Sequence, residues 1–373
     1  VKSVGGALLI RWWKQHLSDK LVGLDLGPES IKLLRINVTK TSCRVENFFI
    51  VQIPPGTTKD KDLSGLVVIL DNLFKRERID TTQVALAIPR SAVIIKTTVI
   101  DSRFSSGEIE SRIWIEANRH FPDLVGEIYL DYNLVGPNID NPKQLDVALV
   151  ACRKDQVKPY LELTRQANLT AKVVDVNCYA LERALNVVLE GSPQTEIVAL
   201  LNLDVALSSL IVVENHDLIF AHDQAYNGRR LRNEVDEYLG NEARVPTDST
   251  VQKGSLQDAV YLSLLKDNLS IHMRHSMHFF YSSRPSTVID KIVLAGDLAT
   301  LPNIAAFVQQ EFSVPTMLAN PFAKMEFAPA VDELELQRYA PALMLCCGLA
   351  LSKLKHSVDI TKSETTGNKN GSI

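Results

Sequence analysis

The residues with the best claim to chemistry lie at two acidic turns. In Leu21–Ile36, "LVGLDLGPESIKLLRI", Asp25 and Gly27 precede Pro28 between two apolar runs. That pattern reads as a β-hairpin with a turn at Gly27-Pro28. An acidic residue and a glycine at such a turn can face a phosphate. Backbone N–H groups hold the oxygens and the carboxylate holds a metal-bound water. An ordinary hairpin with a buried glycine is the competing reading. The pattern returns at Glu196–Asn215, where "EIVALLNL", a turn at Asp204-Val205-Ala206 and "LSSLIVVEN" again give strand, acidic turn, strand. Two such hairpins in one chain point to two related half-domains. A third strand enters a turn at Ala295-Gly296.

Other chemistry-bearing residues read as structural. His272, His275 and His278 recur every third residue and fan over a broad helical face. Metal ligation prefers i, i+4 spacing with partners from elsewhere, so partly exposed helix histidines are expected. Cys43, Cys152, Cys178, Cys346 and Cys347 sit in apolar runs without CxxC spacing. They read as buried free thiols of a reducing compartment. Asp175, after the strand "VVDV", either faces a cleft or is a buried capping carboxylate. Arg229-Arg230 opens a helix and is expected in surface ion pairs. No metal site and no catalytic residue is expected.

The elements that must position these turns follow from periodicity. At 373 residues the chain implies two or more subdomains. A net charge of −4 excludes a polybasic nucleic-acid surface. No apolar run reaches the ~18–20 residues of a membrane span. Ala7–Leu17 gathers Leu9, Trp12, Trp13 and Leu17 on one helical face, which suits a helix lying in a membrane interface. Strands are expected at Cys43–Ile53, Val84–Pro89, Ser91–Ile100, Glu127–Val135, Leu145–Cys152 and Ala171–Val176. Helices are expected at Leu63–Arg76, at Ser105–Phe121 behind a Ser-x-x-Glu capping box, at Asp155–Ala167 and at Tyr179–Leu189. Further helices are expected at Gly228–Leu239, Leu256–Ser282, Pro302–Glu311 and Tyr339–Leu354. The polar tail from 356 is expected to be disordered.

Taken in order, "VGLDLGPESIKLLRI", "AIPRSAVIIKT", "EANRHFPDLVGEIYLDYNLVG", "AKVVDVNCYALERAL", "NGRRLRNEV", "VLAGDLATLPNIAAFV", "LANPFAKM" and "APALMLCCGLALS" resemble the PilM family. These are the actin-like proteins of type IV pilus assembly, relatives of FtsA. The resemblance covers about 21–355. It implies an α/β, actin-like (ribonuclease H-like) two-lobe fold with an FtsA-type 1C subdomain. Residues 1–20 would be an N-terminal amphipathic arm. Subdomain 1A would be 21–91, completed by 171–194 and 336–355, and subdomain 1C would be 92–170. Subdomain 2A would take 195–225 and 285–335, subdomain 2B 226–284, and 356–373 would be the tail.

The resemblance also implies an ATP cleft, set by Asp25, Gly27, Ser30, Asn202, Asp204, Ser208 and Gly296. Relatives usually read like "GIDIGSSSVK", "DIGATxT" and "LAGG" at these places. Here Pro28 removes a phosphate N–H. Glu29 would add a negative charge, costing about 1–4 kcal/mol at ~4–5 Å in a partly hydrated cleft. Asn202 replaces a metal-side carboxylate, Asp204 a glycine and Asp297 a second glycine. A one-residue shift of the second turn would move Asp204 onto the carboxylate position but still leave the glycine missing. The expectation is a degenerate site without cofactor, with ATP and Mg as the alternative. In the family, a groove between 1A and 1C holds the N-terminal peptide of PilN, an inner-membrane protein. The candidate walls here are Val93, Ile95, Ile113, Phe121, Tyr129 and Tyr132, which also read as core. The implied role is a non-enzymatic cytoplasmic adaptor, peripheral to the inner membrane. It would link a PilN-like protein to the pilus motor ATPases, with self-association and lipid contact through 7–17 as further expectations. The alternatives are an ATP-binding switch and an FtsA-like filament former on membrane.

Overall fold

The computed structural model describes residues 21–39, 42–54, 57, 63–121, 126–193, 195–225 and 253–352. The amphipathic arm, the helix expected at Gly228–Leu239 and the polar tail lie outside the described residues. The chain opens with an antiparallel meander, β1 (Val22–Leu26), β2 (Ser30–Val38) and β3 (Cys43–Gln52). Helix α1 (Leu66–Arg76) leads to β4 (Gln83–Ile88), and a 3-10 turn leads into β5 (Val93–Asp101). Next come α2 (Ser106–His120), β6 (Ile128–Pro137), β7 (Gln144–Arg153), α3 (Lys154–Gln166), β8 (Thr170–Val176) and α4 (Asn177–Val188). A second meander follows, β9 (Ile197–Leu203), β10 (Leu207–Glu214) and β11 (Asp217–Ala225). The long α5 (Lys253–Ser283), β12 (Lys291–Ala295), α6 (Ile304–Phe312), β13 (Thr316–Leu318) and β14 (Glu326–Phe327) come next. The chain closes with α7 (Glu333–Arg338), a 3-10 turn over Ala340–Leu343, and α8 (Met344–Ala350).

Three sheets result. Lobe I is built on β14-β3-β2-β1-β4-β8, lobe II on β11-β10-β9-β12-β13, and a smaller insert on β5-β7-β6. Both large sheets run meander first, then two parallel strands. In lobe I these are β4 beside β1 and β8 beside β4; in lobe II they are β12 beside β9 and β13 beside β12. The repeated hairpin of the sequence is therefore a repeated sheet.

Period-2 burial explains the layers. In β1 and β2, Val22, Leu24, Ile31 and Leu33 pack on Leu66, Leu70 and Leu73 of α1 and Leu163 of α3. Leu34 and Ile36 face the opposite layer, where Leu181 and Leu185 of α4 lie with Cys347 of α8. Lobe II shares that layer through Val198, Leu200, Ile211 and Val213. Its outer face packs Leu201, Leu210 and Val212 on Leu269, Met273, Met277 and Phe280 of α5. Each such buried side chain contributes about 1.5–3 kcal/mol. Gly348 lets α8 approach α4, since a Cβ there would lie 1.7 Å from the Ala180 carbonyl oxygen.

Several elements differ from the sequence expectation. Helix α3 belongs with lobe I rather than the insert, because Leu163 and Ala167 join the α1 layer. Strand β11 was not foreseen; Asn215 and His216 make its tight turn in left-handed conformations, without a glycine to mark it. The final helix is shorter than 339–354. Pro341 has no N–H for the helix ladder, and its carbonyl accepts the Gly296 N–H at 2.8 Å, so a 3-10 turn precedes α8. Helix α7, capped by Asp332 accepting from the Glu335 N–H at 3.0 Å, also went unread.

Candidate functional site

The two hairpin turns and Gly296 meet where the lobes face each other. Strand register makes the turns equivalent. Asp25 pairs with Lys32 and Leu26 with Ile31 across β1 and β2. Asn202 pairs with Ser209 and Leu203 with Ser208 across β9 and β10. Asn202 therefore occupies the place of Asp25, Asp204 the place of Gly27, and Ser209 the place of Lys32. By this internal register it is Asn202, not Asp204, that matches Asp25.

Lys32 is the residue the sequence reading missed. Its side chain is 2% exposed, and its ammonium lies 3.0 Å from Asp25 Oδ2 and 3.1 Å from Asp297 Oδ1. Asp204 Oδ2 accepts from Asn202 Nδ2 at 2.6 Å, and Asp204 Oδ1 accepts the Asp297 N–H at 3.0 Å. Burial alone would lower the Lys32 pKa, but Asp25, Asp204 and Asp297 hold it well above the usual lysine range. Burial pushes Asp204 up, against Lys32 and with Asp25. Burial likewise pushes Asp297 up to about 6, with Lys32 opposing and Asp204 and Asp25 assisting. A buried ammonium in a strand reads as a break in an apolar pattern. The sequence carried two signals: the alternation of "SIKLLRI", which puts Lys32 on the face of Ser30 and opposite Asp25, and the lysine that closes the relatives' pattern "GIDIGSSSVK" at the same spacing from its aspartate.

Ser30, Asn202 and Ser208 are buried. Ser208 Oγ donates to the Gln224 carbonyl at 3.4 Å. Gly296 needs to be glycine, because its φ is +90° and a Cβ would lie 2.5 Å from the Leu203 carbonyl oxygen. A polyphosphate at these turns would meet the Asp204 carboxylate where the first turn has Gly27. It would also meet Pro28 without an N–H, and a Lys32 ammonium already engaged by two carboxylates. Asp175 is not a cleft residue. It is fully buried, accepts its neighbour's N–H (Val176) at 2.7 Å and pairs with Arg183, which also donates to the Gly348 carbonyl at 3.0 Å. Asn177, unread from sequence, joins the lobes instead. Its Nδ2 lies 3.3 Å from Ser209 Oγ and from both Asp223 carboxylate oxygens, while its Oδ1 accepts the Arg90 N–H at 2.9 Å.

The six residues read as groove walls divide between two faces of the insert sheet. Val93, Cys152 and Tyr129 form one cross-strand row, and with Ile95 they face the core shared with lobe I. Tyr132 sits on the other face with Ile113 of α2 and Phe121 just after it, in the insert's own core. Val93, Ile113, Phe121 and Tyr129 are buried. The six do not share one trough, because odd and even strand positions point to opposite faces. The exposed apolar residues of the insert are different ones. Ile94 and Val99 on β5 are 43% and 42% exposed, and Val135 on β6 is exposed too. Strand β5 is an edge of its sheet, with no second partner among the described residues.

Among the described residues, no group of three or more His, Cys, Asp and Glu is placed to hold a metal. The imidazoles of His222 and His275 pack on Phe279, with ring centroids 4.7 Å away in each case. The five cysteines are free and buried, and burial pushes the Cys43 and Cys152 thiols up to about 11. No described helix is long and apolar enough to cross a membrane.

The family model for the type IV pilus assembly protein PilM matches residues 23–354. The structure is similar to a solved PilM-PilN type IV pilus biogenesis complex, with a TM-score of 0.71 at 18% identity, covering 91% of this chain and 99% of that one. Weaker likenesses include the ethanolamine utilization protein EutJ from Carboxydothermus hydrogenoformans, with a TM-score of 0.49 at 14% identity over 92% and 96% of the two chains. The MreB 5 protein of Spiroplasma citri bound to AMPPNP gives 0.46 at 9% identity over 96% and 100%.

Proposed function

Because the chain belongs to the PilM family of type IV pilus assembly proteins and has its actin-like fold, we propose that it is a non-catalytic adaptor of pilus assembly. It works on the cytoplasmic side of the inner membrane. It binds the N-terminal cytoplasmic peptide of a PilN-like inner-membrane protein and links that protein to the pilus motor ATPases. The observation that carries this reading is the family match across both lobes and the insert. The likeness to a chain of a PilM-PilN type IV pilus biogenesis complex supports the partner.

The insert offers the peptide an edge. An extended apolar peptide can add to β5 through main-chain hydrogen bonds, with Ile94 and Val99 meeting its side chains. Calorimetry with a synthetic PilN-type N-terminal peptide tests this. Saturable binding, weakened about tenfold or more by Val99→Asp, is expected. Absence of binding at high micromolar peptide contradicts the partner.

The same reading holds that the cleft does not use ATP. Asp204 at the glycine position, Pro28, and the engagement of Lys32 by Asp25 and Asp297 support it. A second reading, an ATP-binding switch, is favoured by one observation: Lys32 is a buried ammonium between the two turns. Thermal denaturation with Mg-ATP separates them, because a ligand at 100-fold excess over Kd stabilises by about 2.7 kcal/mol. Liposome flotation of the full chain against one starting at Asp19 tests the lipid contact assigned to 7–17.

A further inference from the structure

The cleft is crossed by charge. Lys32 and Asp25 belong to the first hairpin of lobe I, whereas Asp204 and Asp297 belong to lobe II. The ammonium bonds one carboxylate from each lobe, Asp25 at 3.0 Å and Asp297 at 3.1 Å. Asp204 is held in the same cluster by the Asp297 N–H and the Asn202 amide. Three carboxylates converge on one cation. Without it, lobe II would present two negative charges to Asp25 across a partly desolvated gap, and like charges there repel. Elsewhere the lobes are joined by packing around α4, by Asn177 and, next to Asp297, by the Gly296 N–H on the Pro341 carbonyl at 2.8 Å, so the base of the cleft is fixed independently of Lys32.

We propose that Lys32 is a latch between the lobes, anchored by Asp25 and holding Asp297 directly and Asp204 through its field, so that the cleft is closed by the chain's own charges. This goes beyond the adaptor reading and does not depend on the identity of the partner. It gives the protein a default closed state without a ligand. Opening requires a competitor for Lys32 or for the two lobe II carboxylates.

The test is an inter-lobe distance. Spin labels at Val68→Cys on α1 and Val288→Cys before β12 sit on exposed positions of the two lobes, and the five native cysteines are buried. Double electron–electron resonance of the labelled full chain is expected to give one narrow distance distribution. Lys32→Met should broaden it and move it to longer distances. The double variant Asp204→Asn with Asp297→Asn removes the lobe II partners while leaving Lys32 on Asp25. It should open the cleft as well, to a smaller extent. The double variant leaves no unpaired buried charge, so it decides the matter if Lys32→Met does not fold. Distributions that coincide with the parent in the double variant, or in a folded Lys32→Met, would overturn the latch.

Discussion

The two lobes carry the same sheet and turn their first hairpins through the same register, yet the turns hold different chemistry. In lobe I, Asp25 faces Lys32 across the ladder, and Gly27 opens the turn. In lobe II, the equivalent pair is Asn202 and Ser209, and the turn begins with Asp204. Lobe I thus supplies a cation and a tight turn, while lobe II supplies neutral hydrogen-bonding groups and a carboxylate. A repeated scaffold leaves its strand interiors constrained by packing but its turn residues free to diverge. Across the cleft the two turns contribute to one ionic cluster, with Lys32 and Asp25 from lobe I and Asp204 from lobe II.

The largest effect expected from breaking this comparison is at Lys32. Lys32→Met should cost roughly 3–5 kcal/mol, the range for removing one partner of a buried ion pair, read by chemical denaturation. At Gly296 the expected loss is about 1–3 kcal/mol for Gly296→Ala, because the φ of +90° and the Leu203 carbonyl both oppose a side chain. Gly27→Ala should cost less, since its Cβ would lie 3.0 Å from the Ser30 carbonyl and its φ is not left-handed.

A pH series sharpens the lobe II side. Asp297 is pushed from 3.8 up to about 6 in the fold, so its protonated form is the one the fold favours. Its contribution is fully present below the unfolded value and is lost as pH rises through about 6. The Tm of the parent minus that of Asp297→Asn should therefore fall as pH is raised from 4 to 7. A flat difference would remove Asp297 from the cluster's electrostatics. The smallest effect is at Ser209→Ala, the position equivalent to Lys32. Losing its hydrogen bond with Asn177 should cost about 0.5–1.5 kcal/mol.

The duplicated plan was legible because strand, acidic turn and strand recur at Asp25 and Asp204. Apolar alternation placed β1 to β8 and α1 to α4 within a few residues. The capping box at Ser105 was equally clear, and its backbone N–H donates to Glu108 at 2.8 Å. What sequence hid were contacts between distant segments. Lys32 drew no reading of its own in "IKLL", because its partner Asp297 lies far along the chain. That the six wall residues divide between two faces was hidden for a related reason: Val93 and Tyr132 both fit an apolar strand pattern, and only the pairing register shows that they face opposite ways. The sharp turn at Asn215-His216 escaped because neither residue is glycine.

The proposed occupant of the cleft is the protein's own charges and not nucleotide. Thermal denaturation of the full chain across millimolar Mg-ATP tests it most directly. No saturable rise in Tm is expected under this proposal, in which Asp204 and Asp297 oppose the phosphates and Lys32 stays on Asp25 and Asp297. A rise in Tm that saturates with Mg-ATP, and is abolished by Lys32→Met in a folded variant, would contradict it.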